Sequence, residues 1–334
     1  MKRRALLQAS LGLGALALGR PMPVHARGGV AAHRPWRVRT LLGLGTSLSL
    51  QVAHRDPARA ERALDAVVAA IRHVEAQMSL FDPGSALRRL NRDGVLHQPD
   101  ADLLRILRLA QMVSAQSQGA FDVTVQPLWQ VFEAAQGEAV LPSRAAVAQA
   151  RARVGWQGME VAPGRVHFTR PGMAVTLNGI AQGYAADLAR QRLRSLGIEH
   201  ALIHTGEWAA LGQPDAQQDW TLGVADPRDE QALITRLTTD GRCIATSADS
   251  QTSFSGDHRH HHIFDPRTGY SPPELASVTV AATSCALADA LTKVMFVAGM
   301  RRALLLARQW QVDVLLVDKA GRWQASPGLG LLPA

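Results

Sequence analysis

Helical and strand-like hydrophobic patterns follow one another along this chain without regular alternation, and that order constrains the fold most. Residues 36–53 are apolar and β-branched with Gly43 and Gly45 among them, which predicts one or two strands with a bulge or close backbone approach. Asp56-Pro57 reads as a cap and first-turn proline. It opens a helix through Leu64, Val67, Val68, Ile71, Val74 and Met78. A second helix runs from Asp100 through Leu103, Leu104, Leu107 and Met112 to Gly119, and a third, rich in alanine, starts at Ser143. Pro163-Gly164 marks a hairpin. Residues 174–177 read as a strand feeding, through Asn178-Gly179, a helix that stops at Gly197. Strands are expected at 200–205, 220–224, 232–238, 243–247, 276–282 and 312–317, with helix at 286–299 and 303–309. This is an α+β chain, expected to form two intimately packed α+β subdomains, not a regular βαβ repeat.

The chain carries a formal charge of +8 over 334 residues. Part of that is an address. Lys2, Arg3 and Arg4 precede a short apolar stretch, Pro21-Met22-Pro23 breaks it, and Val24-His25-Ala26 suits cleavage. The Arg3-Arg4 pair resembles a twin-arginine signal, so residues 1–26 are expected to export a soluble product to a periplasm. No cysteine follows the apolar stretch, so no lipid or other stable membrane anchor is expected. Beyond residue 26 the balance is 32 basic against 28 acidic residues, too mild to argue for nucleic acid. Two cysteines, Cys243 and Cys285, exclude a disulfide-rich scaffold and a four-thiolate zinc site. They read as buried thiols, although an oxidising compartment would permit one bond.

Five segments carry chemistry. They are Leu44-Gly45-Thr46; Met78 to Ser85 with Leu90-Asn91; Gly119-Ala120-Phe121-Asp122-Val123-Thr124; Thr176 to Tyr184 with Asp187; and a C-terminal group. In the fourth, Asn178 can cap, and the N–H groups at a helix start suit a phosphate, although such glycines are mostly structural. It is neither a GxGxxG nor a Walker loop, so a Rossmann or P-loop assignment lacks its fingerprint. In the last group Asp289, Thr292 and Lys293 share one helix face. That spacing suits a hard cation such as Mg²⁺, and equally a plain Asp289–Lys293 ion pair. Asp265-Pro266-Arg267-Thr268-Gly269 is a turn pattern. Of His258, His260, His261 and His262, three are expected to be solvated loop residues and one to be a general base.

In this order the segments resemble the ApbE family of FAD:protein FMN transferases, from about residue 40 to residue 320. Asn178-Gly179-Ile180-Ala181-Gln182-Gly183-Tyr184, His262-Ile263-Phe264-Asp265-Pro266-Arg267-Thr268-Gly269 and Ala288-Asp289-Ala290-Leu291 carry the resemblance. Thr205-Gly206-Glu207-Trp208 looks like the branch tied to nitrous oxide reductase maturation. The resemblance implies one transferase domain over 36–325 with a flavin cleft between its subdomains. It implies Mg²⁺-assisted transfer of FMN from FAD to a Ser or Thr hydroxyl, with loss of AMP. The expected acceptor is an exported domain of a membrane-bound redox protein. Leu44, Phe81, Ala120, Phe121, Asp122, Thr176, Gln182 and Ile263 then fall at FAD-contacting positions. Gly179, Asp289 and Thr292 fall at metal positions and His262 at the proposed base, so that His262 and Asp289 are the expected catalytic residues. Lys293 departs from the pattern, standing where the family usually has a metal-ligating Thr. Its ammonium would either displace Mg²⁺ or stand in for part of its charge. The competing readings are an FAD pyrophosphatase giving FMN and AMP, and a non-catalytic flavin-binding or scaffold protein.

Overall fold

The computed structural model describes residues 34–137, 140–215 and 218–332, so the signal expected at 1–26 lies outside the described residues. The chain opens with a hairpin, β1 (Trp36–Gly43) and β2 (Thr46–Ala53). Leu44 and Gly45, both at positive φ (51° and 79°), make its two-residue turn where a bulge was among the expectations. Asp56 caps α1 (Pro57–Met78), accepting from the Ala58 N–H at 2.9 Å. Next come α2 (Ala86–Asp93), β3 (Val95–His97), α3 (Ala101–Gln116), α4 (Gln126–Gly137) and α5 (Arg144–Arg151). Asp100 caps α3 and Ser143 caps α5, as the sequence predicts. The Pro163-Gly164 hairpin joins β4 (Met159–Ala162) and β5 (Arg165–Phe168). Then follow α6 (Ala181–Ser195), β6 (His200–His204), β7 (Trp208–Leu211), β8 (Thr221–Asp226), β9 (Asp229–Thr238) and β10 (Cys243–Ala248). The chain finishes with β11 (Leu275–Ala282), α7 (Cys285–Gln309), β12 (Asp313–Asp318), β13 (Trp323–Ala325) and β14 (Leu331–Leu332).

The mixed α+β expectation matches this architecture. Eight strands form one sheet in the order β1-β2-β6-β7-β10-β11-β12-β13, every pairing antiparallel. Helices α1, α6 and α7 cover one face, burying Leu48, Leu50, Val67, Ile71, Ala186, Val280, Val294 and Phe296 in the main core. A three-stranded sheet, β14-β9-β8, covers the other face through Trp220, Leu222, Val224 and Leu237. A third, aromatic cluster packs Leu128 and Phe132 of α4 and Val147 of α5 against Phe254 and Phe264.

One sequence expectation changes. Residues 174–177 are extended but not a strand, because the Asn91 side chain takes the place of a partner strand. Its amide donates to the Val175 carbonyl at 2.8 Å, and its oxygen accepts from the Val175 N–H at 2.7 Å. The helices expected at 286–299 and 303–309 form as read, joined as α7 across a break at Gly299 (φ 74°, ψ 170°). A side chain there would collide with Glu274.

The helices that carry the motif residues, α6 and α7, touch at a glycine. A Cβ on Gly183 would lie 2.3 Å from the Cys285 carbonyl oxygen and 2.8 Å from the Ala286 nitrogen. Asp187 of α6 fastens the start of α7, accepting from the Cys285 N–H at 2.9 Å and the Ala286 N–H at 3.0 Å. Its carboxylate also sits at the positive end of the α7 dipole. Both atoms that crowd Gly183 belong to backbone, so neither can swing away. Gly183→Ala is therefore expected to cost about 2 kcal/mol or more and to lower the melting temperature by several degrees in thermal denaturation of the full chain. An unchanged melting temperature would mean the helices are not in this contact.

Candidate active site

Three backbone corners meet over the edge of the large sheet. At the β1–β2 turn, the Leu44 N–H donates to Glu75 Oε1 at 2.8 Å, and its carbonyl accepts from Gln182 Nε2 at 3.2 Å. Thr205 Oγ1 donates to the Gln182 carbonyl at 2.8 Å, so the end of β6 joins the same knot. Gly206 (φ 100°) lies so close that a Cβ would fall 2.5 Å from the Gln182 side chain. The Phe81 ring passes over Gly45, 3.1 Å from where a Cβ would be, and is 71% exposed. Leu44, Phe81 and Gln182 thus come together around one rim, with an aromatic face open to solvent.

Ala120, Phe121 and Asp122 are buried. The Asp122 carboxylate is engaged internally: Oδ1 accepts from the Thr124 N–H at 2.8 Å and from its hydroxyl at 2.6 Å, and Oδ2 accepts from the Trp156 N–H at 2.9 Å. Burial nonetheless raises its pKa. What this segment can offer a ligand is backbone rather than carboxylate. It touches the fourth segment where the Thr176 N–H donates to the Val123 carbonyl at 2.8 Å. Ile263 is buried in the main core.

The turn before α6 differs from the expectation of a capped, anion-ready helix start. Asn178 is exposed and does not cap; the cap residue is Ile180, whose side chain makes no capping hydrogen bond. The Ile180 and Ala181 N–H groups both donate to the Leu177 carbonyl. The Gly183 N–H donates to Asp289 Oδ2 at 3.2 Å. A carboxylate from α7 therefore already answers the positive end of this helix.

Asp289 is 1% exposed. Its Oδ1 faces Lys293 Nζ at 2.5 Å, and its backbone carbonyl accepts from the same ammonium at 3.1 Å and from Thr292 Oγ1 at 2.6 Å. Ser247 Oγ lies 2.8 Å from Thr292 Oγ1. The Lys293 stem runs beside Gly179, where a Cβ would lie 3.0 Å from Cε. Gly179, Asp289, Thr292 and Lys293 are thus one cluster. These residues do not fit the Mg²⁺ ion that the resemblance implies, because both Asp289 oxygens and the Thr292 hydroxyl are engaged and an ammonium stands among them. The plain Asp289–Lys293 pair, which the spacing equally allowed, is the arrangement observed. The sequence reading also passed over Glu207. It is buried, accepts from the Thr246 N–H at 3.0 Å, and its carboxyl is pushed well above the usual range by burial and then by Asp289, with Lys293 opposing. Its place inside the Thr205-Gly206-Glu207-Trp208 motif was the signal that could have found it.

The histidines are not the solvated loop residues expected. His261 is buried, and His258, His260 and His262 are half-buried. The reason is that the segment 252–264 folds back onto α4, placing Phe254 and Phe264 against Phe132 and the His260 ring 6.0 Å from it. His262 Nδ1 donates to the Thr252 carbonyl at 3.2 Å, which leaves the lone pair on Nε2. Burial, opposed by the Thr252 bond and assisted by the Lys293 ammonium, lowers its pKa to about 4. The imidazole is therefore a neutral base at neutral pH, within electrostatic reach of Lys293. Cys243 and Cys285 are buried free thiols. A separate cavity of about 650 Å³ lies by β5 and α2, lined by Arg92, Arg165, His167 and Arg170 among others. None of the site positions assigned by the resemblance lines it, although Asn91 of the second segment does.

Comparison with known proteins bears on this arrangement directly. A layered antiparallel α+β fold of this kind is shared with the ApbE protein of Thermotoga maritima, whose crystal structure superposes with a TM-score of 0.79 at 27% identity. The match covers 88% of this chain and 97% of that one. The FAD:protein FMN transferase of Klebsiella pneumoniae is 29% identical over 287 residues, 83% of this chain and 87% of its own. That of Vibrio cholerae is 30% identical over 259 residues, 75% and 77% of the two chains. The ApbE family model matches residues 44–316, and the chain belongs to the ApbE family.

Burial holds His204 and His262 at about 4 and His261 at about 3, all below the ordinary histidine value of 6.5. The unfolded chain then binds more protons than the native one between those limits. Stability is present in full above pH 6.5 and is lost as pH falls towards 4, each histidine contributing up to about 1.4 kcal/mol per pH unit. Urea denaturation between pH 7.5 and 4.5 is expected to show a falling unfolding free energy. His204→Asn is expected to flatten that slope. A pH-independent stability would contradict the buried neutral histidines.

Proposed function

We propose that this protein is an FAD:protein FMN transferase that places FMN on a Ser or Thr hydroxyl of an exported partner. The observation that carries the reading is the ApbE family match across 44–316, with relatives of that name aligned over three quarters or more of both chains. The geometry supports it. Leu44, the exposed Phe81 ring and Gln182 offer a rim on which a flavin can stack, and the aromatic face suits a planar heterocycle. His262 offers a neutral imidazole with Nε2 as acceptor.

In the proposed step the acceptor hydroxyl oxygen attacks the FMN-side phosphorus of FAD. The bond from that phosphorus to the bridging oxygen breaks, and AMP leaves with that oxygen. The hydroxyl proton passes to His262 Nε2 and then to solvent. Charge that builds on the diphosphate needs a cation nearby, a role the resemblance assigns to Mg²⁺ and the site geometry does not. Among the described residues no helix is long and apolar enough to cross a membrane. The proposed route is export to the periplasm through the twin-arginine-like signal at 1–26. The acceptor would be a domain of a membrane-bound redox protein reached from that side.

The test is incubation of the chain beginning at Arg27 with FAD and candidate acceptor domains, read by intact-mass spectrometry. The expected result is an acceptor heavier by one FMN, with AMP released in equal amount. AMP released without acceptor would instead establish a pyrophosphatase. His262→Gln is expected to lower transfer by about 10²-fold to 10⁴-fold while FAD binding, followed by flavin fluorescence, stays within a few-fold of the parent. Equal loss of both would make His262 a binding rather than a catalytic residue.

A further inference from the structure

We propose that Lys293 is the resident cation of this site: a tethered ammonium that meets the diphosphate of the dinucleotide directly, so that the chain binds its substrate without a divalent metal. The proposal rests on the flavin-transfer reading for the identity of the substrate and on the geometry of Lys293 for everything else.

An ammonium has three donors. Two are engaged by Asp289, at Oδ1 and at the backbone carbonyl, and these fix the head in place. The third remains for a ligand. The side chain retains 17% of its exposure, so it is not sealed into the interior as Asp289 is. Its stem lies along Gly179, where a Cβ would press on Cε at 3.0 Å. The competing source of positive potential, the start of α6, is already answered by Asp289 Oδ2 on the Gly183 N–H. No second cation fits beside the first: Thr292 Oγ1 is bound to the Asp289 carbonyl and Ser247, and an incoming divalent ion would have to expel the ammonium from a buried carboxylate. An ammonium is a compact point charge, and a phosphate oxygen can accept its remaining N–H.

Three substitutions separate the possibilities. Circular dichroism first establishes that each variant folds. Titration with FAD in excess EDTA is expected to show binding by the parent chain, retention within about threefold in Lys293→Arg, and loss of about tenfold or more in Lys293→Met. Titration with Mn²⁺ alone, followed by electron paramagnetic resonance, is expected to show no site in the parent. A site should appear in Lys293→Thr, where Asp289 Oδ1 loses the ammonium and a hydroxyl joins it. Tight Mn²⁺ binding by the parent, FAD binding that requires Mg²⁺, or full FAD affinity in Lys293→Met would each overturn the proposal. The outcomes also separate it from the functional reading. A parent that binds FAD in EDTA through Lys293 yet modifies no acceptor retains this inference and loses the transferase. A parent that transfers FMN only with Mg²⁺ does the reverse.

Discussion

The crossing of α6 and α7 is the contact on which the rest of the site depends. At Gly183 the two backbones approach so closely that no side chain fits between them. The crossing is fastened from both sides. Asp187 of α6 takes the first N–H groups of α7, and Asp289 of α7 takes the Gly183 N–H of α6. Each helix thus supplies the carboxylate that answers the positive end of the other. One consequence is structural, because the two helices cover the large sheet as a unit. The other is chemical, because Asp289 is drawn into the interior with its charge and needs a counter-charge there. Lys293, one turn further along α7, supplies it.

From that pair the remaining features follow outward. The lysine stem needs room, and Gly179 leaves it. The turn that contains Gly179 must be held without a neighbouring strand, and Asn91 holds it by pairing with both polar groups of Val175. The same turn leads to Gln182, which ties the β1–β2 turn and the end of β6 into the rim. His262 approaches from the segment packed on α4, its imidazole kept neutral by burial and by the ammonium. A base, a cation and an aromatic rim are thereby gathered from elements spread from residue 44 to residue 293.

Much of the fold was legible in local chemistry. The caps at Asp56, Asp100 and Ser143 and the Pro163-Gly164 hairpin depend on neighbours within a few residues, and they form as read. The helix α2 was not legible, because its eight residues carry four charged side chains and bury only Ala86, Leu87 and Leu90. The stretch 174–177 has a strand's composition but takes its hydrogen bonds from a side chain 84 residues away. The candidate site divides in the same way. Asp289, Thr292 and Lys293 share a helix face by periodicity, but which partner Asp289 holds depends on Gly183 in another helix. The histidines read as solvated because the aromatic cluster that buries them is assembled from α4 and a distant segment. Glu207 lay within a noted motif, yet its burial against Asp289 became visible only in three dimensions.

The most direct measurement of the central claim is a crystal structure of the chain grown with FAD in metal-free, EDTA-containing buffer. The isoalloxazine ring is expected against Leu44 and Phe81, with a diphosphate oxygen within hydrogen-bond distance of Lys293 Nζ. The Asp289–Lys293 pair is expected to stay intact. A diphosphate bound away from Lys293, or a lysine swung out with Asp289 turned to an ion carried through purification, would contradict that claim.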